Sequence, residues 1–342
     1  MRRRTAPTPV HPPALATSLV LLALGLCACS GPANAGGAGG TGAVAASAEA
    51  APASPGVIGA GRVAFSVTGG GAAQDLVASV ALDDLGGPRR TSSTPCDRLD
   101  ADTSGVVCLQ TETGVETRYW IVLLDAVLGE VDRRPLAGVP SRTRLSPDGT
   151  LFAATSFVSG HAYAEGGVST ETVVESVADD GPDHGNLEEF ALDVHGTVVH
   201  AEDLNVWGVT FTDDRRFHAT ASIGDVAWLV EGDLVDRTLT GIRPGVECPS
   251  RSPDGTRIAF KQLRPATAEP EWTIAVLDLA TGAVTTLPTP GSVDDQVEWL
   301  DEQHVLYHDV DQGHTSLWAL PIDGVNGPRL LVVDAYSGSV QR

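Results

Sequence analysis

From residue 57 onward the chain alternates apolar and polar positions in short runs, the period of half-buried β-strands, and turn residues punctuate the runs. The clearest unit covers 247–288. Residues 252–255 read Ser-Pro-Asp-Gly, where Pro presets φ, Asp bonds its own backbone and Gly takes the positive φ that follows. Strands are expected at 257–261, 272–279 and 283–287, with 247–251 as the first of four. Such a meander cannot cover both its faces alone, so it should stack against copies of itself.

The copies are present. Residues 146–154 repeat the Ser-Pro-Asp-Gly turn and its following strand, and weaker forms stand at 211–217, 299–307, 102–109 and 61–65. Aligned on the turn, the units recur every 40 to 48 residues or so, apart from one interval of about 66, as four-stranded propeller blades do. The expected fold is all-β: a six-bladed β-propeller of four-stranded antiparallel blades, with the ring closed by the C-terminal strand. The first unit has only three strands of its own, at 62–67, 76–82 and 88–92, and 335–340 should supply its innermost one. The long interval places the excess length in the third blade, as protruding loops at 161–167 and 179–185, and leaves blades four to six without large additions.

The Ser-Pro-Asp-Gly turn, the Ile-Ala-Phe strand at 258–260 and the run Val276-Leu277-Asp278-Leu279-Ala280-Thr281-Gly282 resemble the repeat of TolB-like β-propellers. The likeness covers most of the chain after residue 57. Segments 205–211, 229–233 and 293–300 are similar to a lipoprotein branch of that group from high-GC Gram-positive bacteria. The resemblance implies a fold and an address rather than an activity. In TolB the propeller is a periplasmic protein-binding module with an additional N-terminal domain. That domain has no counterpart here, so a role in the Tol system does not carry over.

The first residues change the picture from a soluble domain to an exported one. Arg2, Arg3 and Arg4 precede an apolar run at 14–26, and Ala28 before Cys29 meets the small-residue requirement of lipoprotein processing. Residues 1–28 read as a lipoprotein signal peptide with Cys29 as the lipid attachment site, and the run is too short to span a membrane. The competing reading is an ordinary secretory signal cut near Ala35. Residues 29–56, almost all Gly, Ala, Ser and Pro, form a disordered tether spanning roughly 28 Å, and 57–342 form the propeller. The expected location is the outer face of the cytoplasmic membrane.

Charge excludes some partners. The formal net charge is −22, and once Arg2, Arg3 and Arg4 are removed 19 basic residues face 44 acidic ones, a balance of −25. Such a surface repels nucleic acid and anionic lipid, so membrane contact is expected through the anchor alone. Acidity serves solubility after export, or else a cationic partner or divalent ion. Cys96 and Cys108, placed on the first two strands of the second blade, are expected to form a disulfide in an oxidising compartment, the alternative being two buried thiols. Cys248 has no evident partner.

Catalytic and metal motifs are missing from the sequence: there is no HExxH, Walker loop, GxSxG elbow or dense Cys/His cluster. His304 and His308 lie on a strand, where four-residue spacing does not make a zinc pair. The acidic clusters 97–102 and 179–184 lack EF-hand spacing and read as solvated loops or as oxygen ligands for calcium. Asp148 and Asp254 are turn formers. No metal or cofactor is expected, and the chain is expected to be no enzyme.

The remaining candidate is the axial mouth, lined by the segments that enter the innermost strands: Arg142, Arg144, Asn205, Trp207, Glu247, Arg251, Asp294, Asp295, Glu298 and Tyr336. These residues either contact a ligand or satisfy one another around a water-filled axis. The expected function is a lipid-anchored, non-catalytic monomer that binds an envelope or extracellular protein or glycan. The alternative is a hydrolase or lyase acting on a sugar or lactone, with Glu247, Asp294, Asp295 and Glu298 as acids. Arg-paired carboxylates favour the binder, and two carboxylates about 5 to 10 Å apart in an open pocket favour the enzyme.

Overall fold

The computed structural model describes residues 55–158, 169–199, 201, 203–224, 226–264, 271–293, 295–311 and 314–342. The signal peptide, Cys29, the tether up to residue 54, the 161–167 loop and Asp294 lie outside the described residues.

Six sheets form the ring, five of them four-stranded and antiparallel throughout. Blade 5 shows the plan, with Glu247–Arg251 innermost, then Arg257–Leu263, Trp272–Asp278 and Val284–Thr286. Innermost strands of the others are Arg98–Ala101 in blade 2, Val139–Leu145 in blade 3, Asn205–Phe211 in blade 4 and Glu298–Asp301 in blade 6. Blade 1 takes its innermost strand, Ala335–Gln341, from the far end of the chain. It pairs antiparallel with Arg62–Val67 in the register Val63↔Val340 and Ala64↔Ser339. The expected ring and closure are both present.

Side-chain alternation explains why the blades stack. The second strands carry Val63 and Phe65, Phe152, Phe217, Ile258 and Phe260, and Val305 and Tyr307, all buried. Small Ala64, Ala153 and Ala259, and His218 in blade 4, occupy intervening positions and are also buried, so both faces of these sheets are covered. The recurrent turns form as the sequence dictates. In one, Ser146 Oγ donates to Asp148 (2.7 Å) while the amide of Leu151 donates back to Ser146 Oγ (2.9 Å). Ser252, Asp254 and Arg257 repeat the pattern at 2.6 and 3.0 Å. Both Asp carboxyls are held below the usual range, by these hydroxyls first, which confirms them as turn formers.

The placement of the excess length needs correction. Residues 183–185 do not protrude but open the outermost strand of blade 3, Asp183–Asn186. The chain then makes a short 3-10 turn, Leu187–Glu189, and a hairpin of Ala191–Val194 and Thr197–Val199. That hairpin joins blade 4, where Ala191–Val194 runs parallel to Thr238–Pro244, so blade 4 has six strands rather than four. The cause is burial: Leu187, Phe190 and Leu192 are inserted beside Val230 and Leu239. Positive φ at His195 (55°) and Gly196 (79°) closes the two-residue hairpin turn.

Cys96 and Cys108 are joined by a disulfide, with Cα atoms 5.6 Å apart. Cys96 precedes the first strand of blade 2 rather than lying on it.

Candidate functional site

Four innermost strands are irregular where they pass the axis. Register shifts fall at Ser141, at 208–209, at 248–249 and at 337–338. Bulges of this kind re-aim side chains, and here they turn polar groups toward the axis. Gly208 (φ 66°), Cys248 (50°) and Ser337 (52°) adopt left-handed backbone at these points. A Cβ on Gly208 would stand 2.7 Å from the Cα of Cys248, so glycine is what lets the strands of blades 4 and 5 meet. Cys248 is a buried free thiol whose pKa burial raises, in keeping with a small packed side chain.

At the leading end, where the innermost strands begin, the axis is plugged. Asp295 is 6% exposed. It is ion-paired with Arg98, lies 3.3 Å from Arg142 Nε, and lies 3.7 Å from His308 Nδ1. Burial would raise its pKa, but Arg98, Arg142 and His308 outweigh burial and hold the carboxyl well below the carboxylate range. Arg98 lies over the Tyr336 ring at 4.2 Å, His308 meets the same ring edge-on at 4.4 Å, and burial keeps the phenol neutral. Beside this cluster Gln296 Nε2 donates to the bulge carbonyls of Val209 (3.2 Å) and Pro249 (2.8 Å).

One layer further along, Arg144 pairs with Glu298 and lies 3.8 Å from Asp100. Asp100 also accepts from Ser339 Oγ (2.6 Å) and the Leu145 amide (2.8 Å), yet burial still raises its pKa. Between the two layers lies a cavity of about 40 Å³, room for ordered water only.

The trailing end is open. The turns after the innermost strands gather there around a cavity of about 490 Å³, bounded by Asp102 and Ser104, Ser146 and Asp148, Arg251 and Ser252, and Arg342. The expected mouth residues therefore separate. Arg142, Asp295 and Tyr336 meet in the plug, Arg144 and Glu298 form the middle layer, and Arg251 lines the open end. Glu247 lies 3.7 Å from buried Lys261, and Trp207 is half-buried on its strand; neither lines these two cavities. Sequence reasoning missed Arg98, Asp100, Gln296 and His308. Alignment of the innermost strands would have set Arg98 and Asp100 beside Arg142 and Arg144, because both pairs follow the two-residue spacing of one strand face.

This arrangement decides between the two chemistries raised by the sequence. Asp295 and Glu298 are arginine-paired, and Glu247 faces a lysine. Glycoside chemistry needs two carboxyls flanking an open cleft, one of them able to hold a proton. Asp295 meets neither condition, so the sugar or lactone reading is not favoured.

Neither a protein-family model nor a curated protein sequence matches the chain. Among solved structures it is similar to TolB from Acinetobacter baumannii, with TM-score 0.56 and 18% identity over 82% of this chain and 67% of that one. It is also similar to a chain of the nidogen/laminin complex, with TM-score 0.54 and 10% identity over 81% of this chain and 97% of that one. The fold is thus TolB-like. A puromycin-hydrolyzing peptidase of Mycobacterium tuberculosis also matches, with TM-score 0.48 and 15% identity over 76% of this chain and 42% of that one. The expectation that the chain is no enzyme is corrected: peptidases, tricorn protease included, stand among the propeller matches. At these identities the matches assign no activity to this chain.

Proposed function

We propose that the chain is an exported propeller, lipid-anchored through Cys29, that binds a protein or glycan of the cell envelope at the trailing end of its axis. The open cavity of about 490 Å³ carries this reading. It lies in the size range of ligand sites, its wall bears charges of both signs, and the plugged leading end restricts a ligand to one side. The TolB-like fold supports a protein partner. The sequence supports the address, with 1–28 as signal peptide, 29–56 as tether and 57–342 as the binding domain at the outer face of the cytoplasmic membrane.

Cross-linking in the intact envelope, followed by recovery of the protein, tests the binding. Thr103→Trp fills the cavity from an exposed turn without touching the core. A partner enriched by the wild type and lost with Thr103→Trp supports the reading; equal enrichment by both, or by neither, refutes it. Labelled palmitate incorporated by the wild type and not by Cys29→Ser checks the anchor.

A further inference from the structure

Five arginines line the axis, and four of them face carboxylates: Arg98 and Arg142 with Asp295, and Arg144 and Arg342 with Glu298. Arg251 is the exception. Among the described residues its guanidinium has no carboxylate and no hydrogen-bond acceptor, and its Nε is buried without a partner. Arg251 is half-buried at the wall of the open cavity, so its charge is left to water or to a ligand rather than to a partner in the fold. The neighbouring buried imidazole of His218 brings no negative charge. Burial first, and Arg251 second, push its pKa down to about 4, so it is neutral.

The turn that follows Arg251 forms a seat for the guanidinium. A Cβ at Gly255 would stand 2.6 to 2.7 Å from Nη2, Cζ and Nη1, so the group lies flat against backbone that only glycine leaves bare. The copy of this turn in blade 3 carries the opposite charge in the same place: there the Asp102 carboxylate of blade 2 lies against Gly149. Blade 2 faces blade 5 across a six-membered ring. The open cavity therefore has an acidic side, at Asp102 and Asp148, and a cationic side at Arg251.

We propose that Arg251 anchors a carboxylate subsite in this cavity, and that the ligand is a peptide segment offering a free carboxylate to Arg251 and a cationic group to Asp102 and Asp148. The inference rests on the binding reading above and specifies its chemistry. The planar fork of a guanidinium matches a carboxylate bidentately, and such charge-assisted bonds carry both affinity and orientation.

Tri-alanine, tri-alaninamide and N-acetyl-tri-alanine serve as probes, titrated calorimetrically into the full-length protein. Tri-alanine should bind, the amide should lose affinity by about tenfold or more, and the acetylated probe should lose less. Arg251→Met should abolish the difference between acid and amide. Because that variant removes a packed side chain, the wild type supplies an independent readout. Its Arg251 Nε–Hε resonance, identified by its absence in Arg251→Lys, should shift with tri-alanine and not with the amide. Equal affinity for acid and amide, no binding of any probe, an unmoved resonance, or equal displacement by inorganic phosphate would each overturn the assignment. An envelope partner lost with Thr103→Trp but retained by Arg251→Met would sink this inference while leaving the binding reading intact.

Discussion

Replacing Asp295 by Asn tests whether the plug holds the ring together electrostatically. The change keeps the shape of the side chain and one acceptor oxygen, so it isolates the charge. It removes the buried anion that Arg98, Arg142 and His308 share. Breaking a buried pair by removing one partner costs about 3 to 5 kcal/mol, most of it the penalty of the stranded charge. For a domain of this size each kcal/mol moves Tm by roughly 2 °C, so a fall of about 6 to 10 °C is expected in a thermal melt followed by tryptophan fluorescence. The folded pKa of Asp295 lies below its unfolded value. Its stabilising contribution is therefore present above the ordinary carboxylate pKa and is lost as pH falls through the lower, folded value. The gap between wild type and Asp295→Asn should accordingly be constant near neutrality and close below about pH 4. Adding Arg98→Met should recover part of the loss, because one stranded cation is removed. A destabilisation under about 1 kcal/mol, or strict additivity of the two changes, would refute the claim that these charges depend on one another.

Burial pushes the carboxyl of Glu188 up to about 7, against bonds from the Thr172 and Val206 amides (3.0 Å each) and the Thr170 hydroxyl (2.9 Å). The folded state thus favours its protonated form, and stability should decline by about 3 kcal/mol as pH rises from about 4.5 to 7. Denaturation midpoints of Glu188→Gln should lose that slope, and an unchanged slope would refute it. Gly208→Ala should destabilise by about 2 kcal/mol or more, from its left-handed φ and the contact with Cys248, as read by urea unfolding. Replacing both Cys96 and Cys108 by Ser should cost on the order of 3 kcal/mol, measured the same way, since the bridge closes a separation of 12 residues.

What was legible in the sequence was local. The turn at Ser252-Pro253-Asp254-Gly255 is specified by four adjacent residues, and its recurrence at Ser146 gave the blade period and the six-bladed ring. The closing strand at Ala335–Gln341 followed from that period, because the first unit is one strand short. The hairpin at His195-Gly196 went unread in the sequence. Its parallel pairing with Thr238–Pro244 was not legible there, since that depends on a partner more than forty residues away. The axis was hidden for the same reason. Which side chains reach it depends on backbone bulges at Ser141, Gly208, Cys248 and Ser337 on four separate strands, and no local pattern encodes their convergence.

The side of the axis that is open follows from how blade 6 enters the ring. Its approach segment sends Asp295 to arginines of blades 2 and 3, Gln296 to carbonyls of blades 4 and 5, and Glu298 to Arg144 of blade 3. One blade is thereby tied across the axis to four others, in addition to its packing against its neighbours. A ring stitched in this way cannot dilate to admit a ligand at the leading end without stranding buried charges. The trailing cavity rests on the same stitches through Arg144 and Glu298, so its walls are fixed before a ligand arrives. On the proposed binding reading, fixed walls reduce the ordering cost of association, and affinity at that end depends on how well a ligand complements Arg251 on one side and Asp102 on the other.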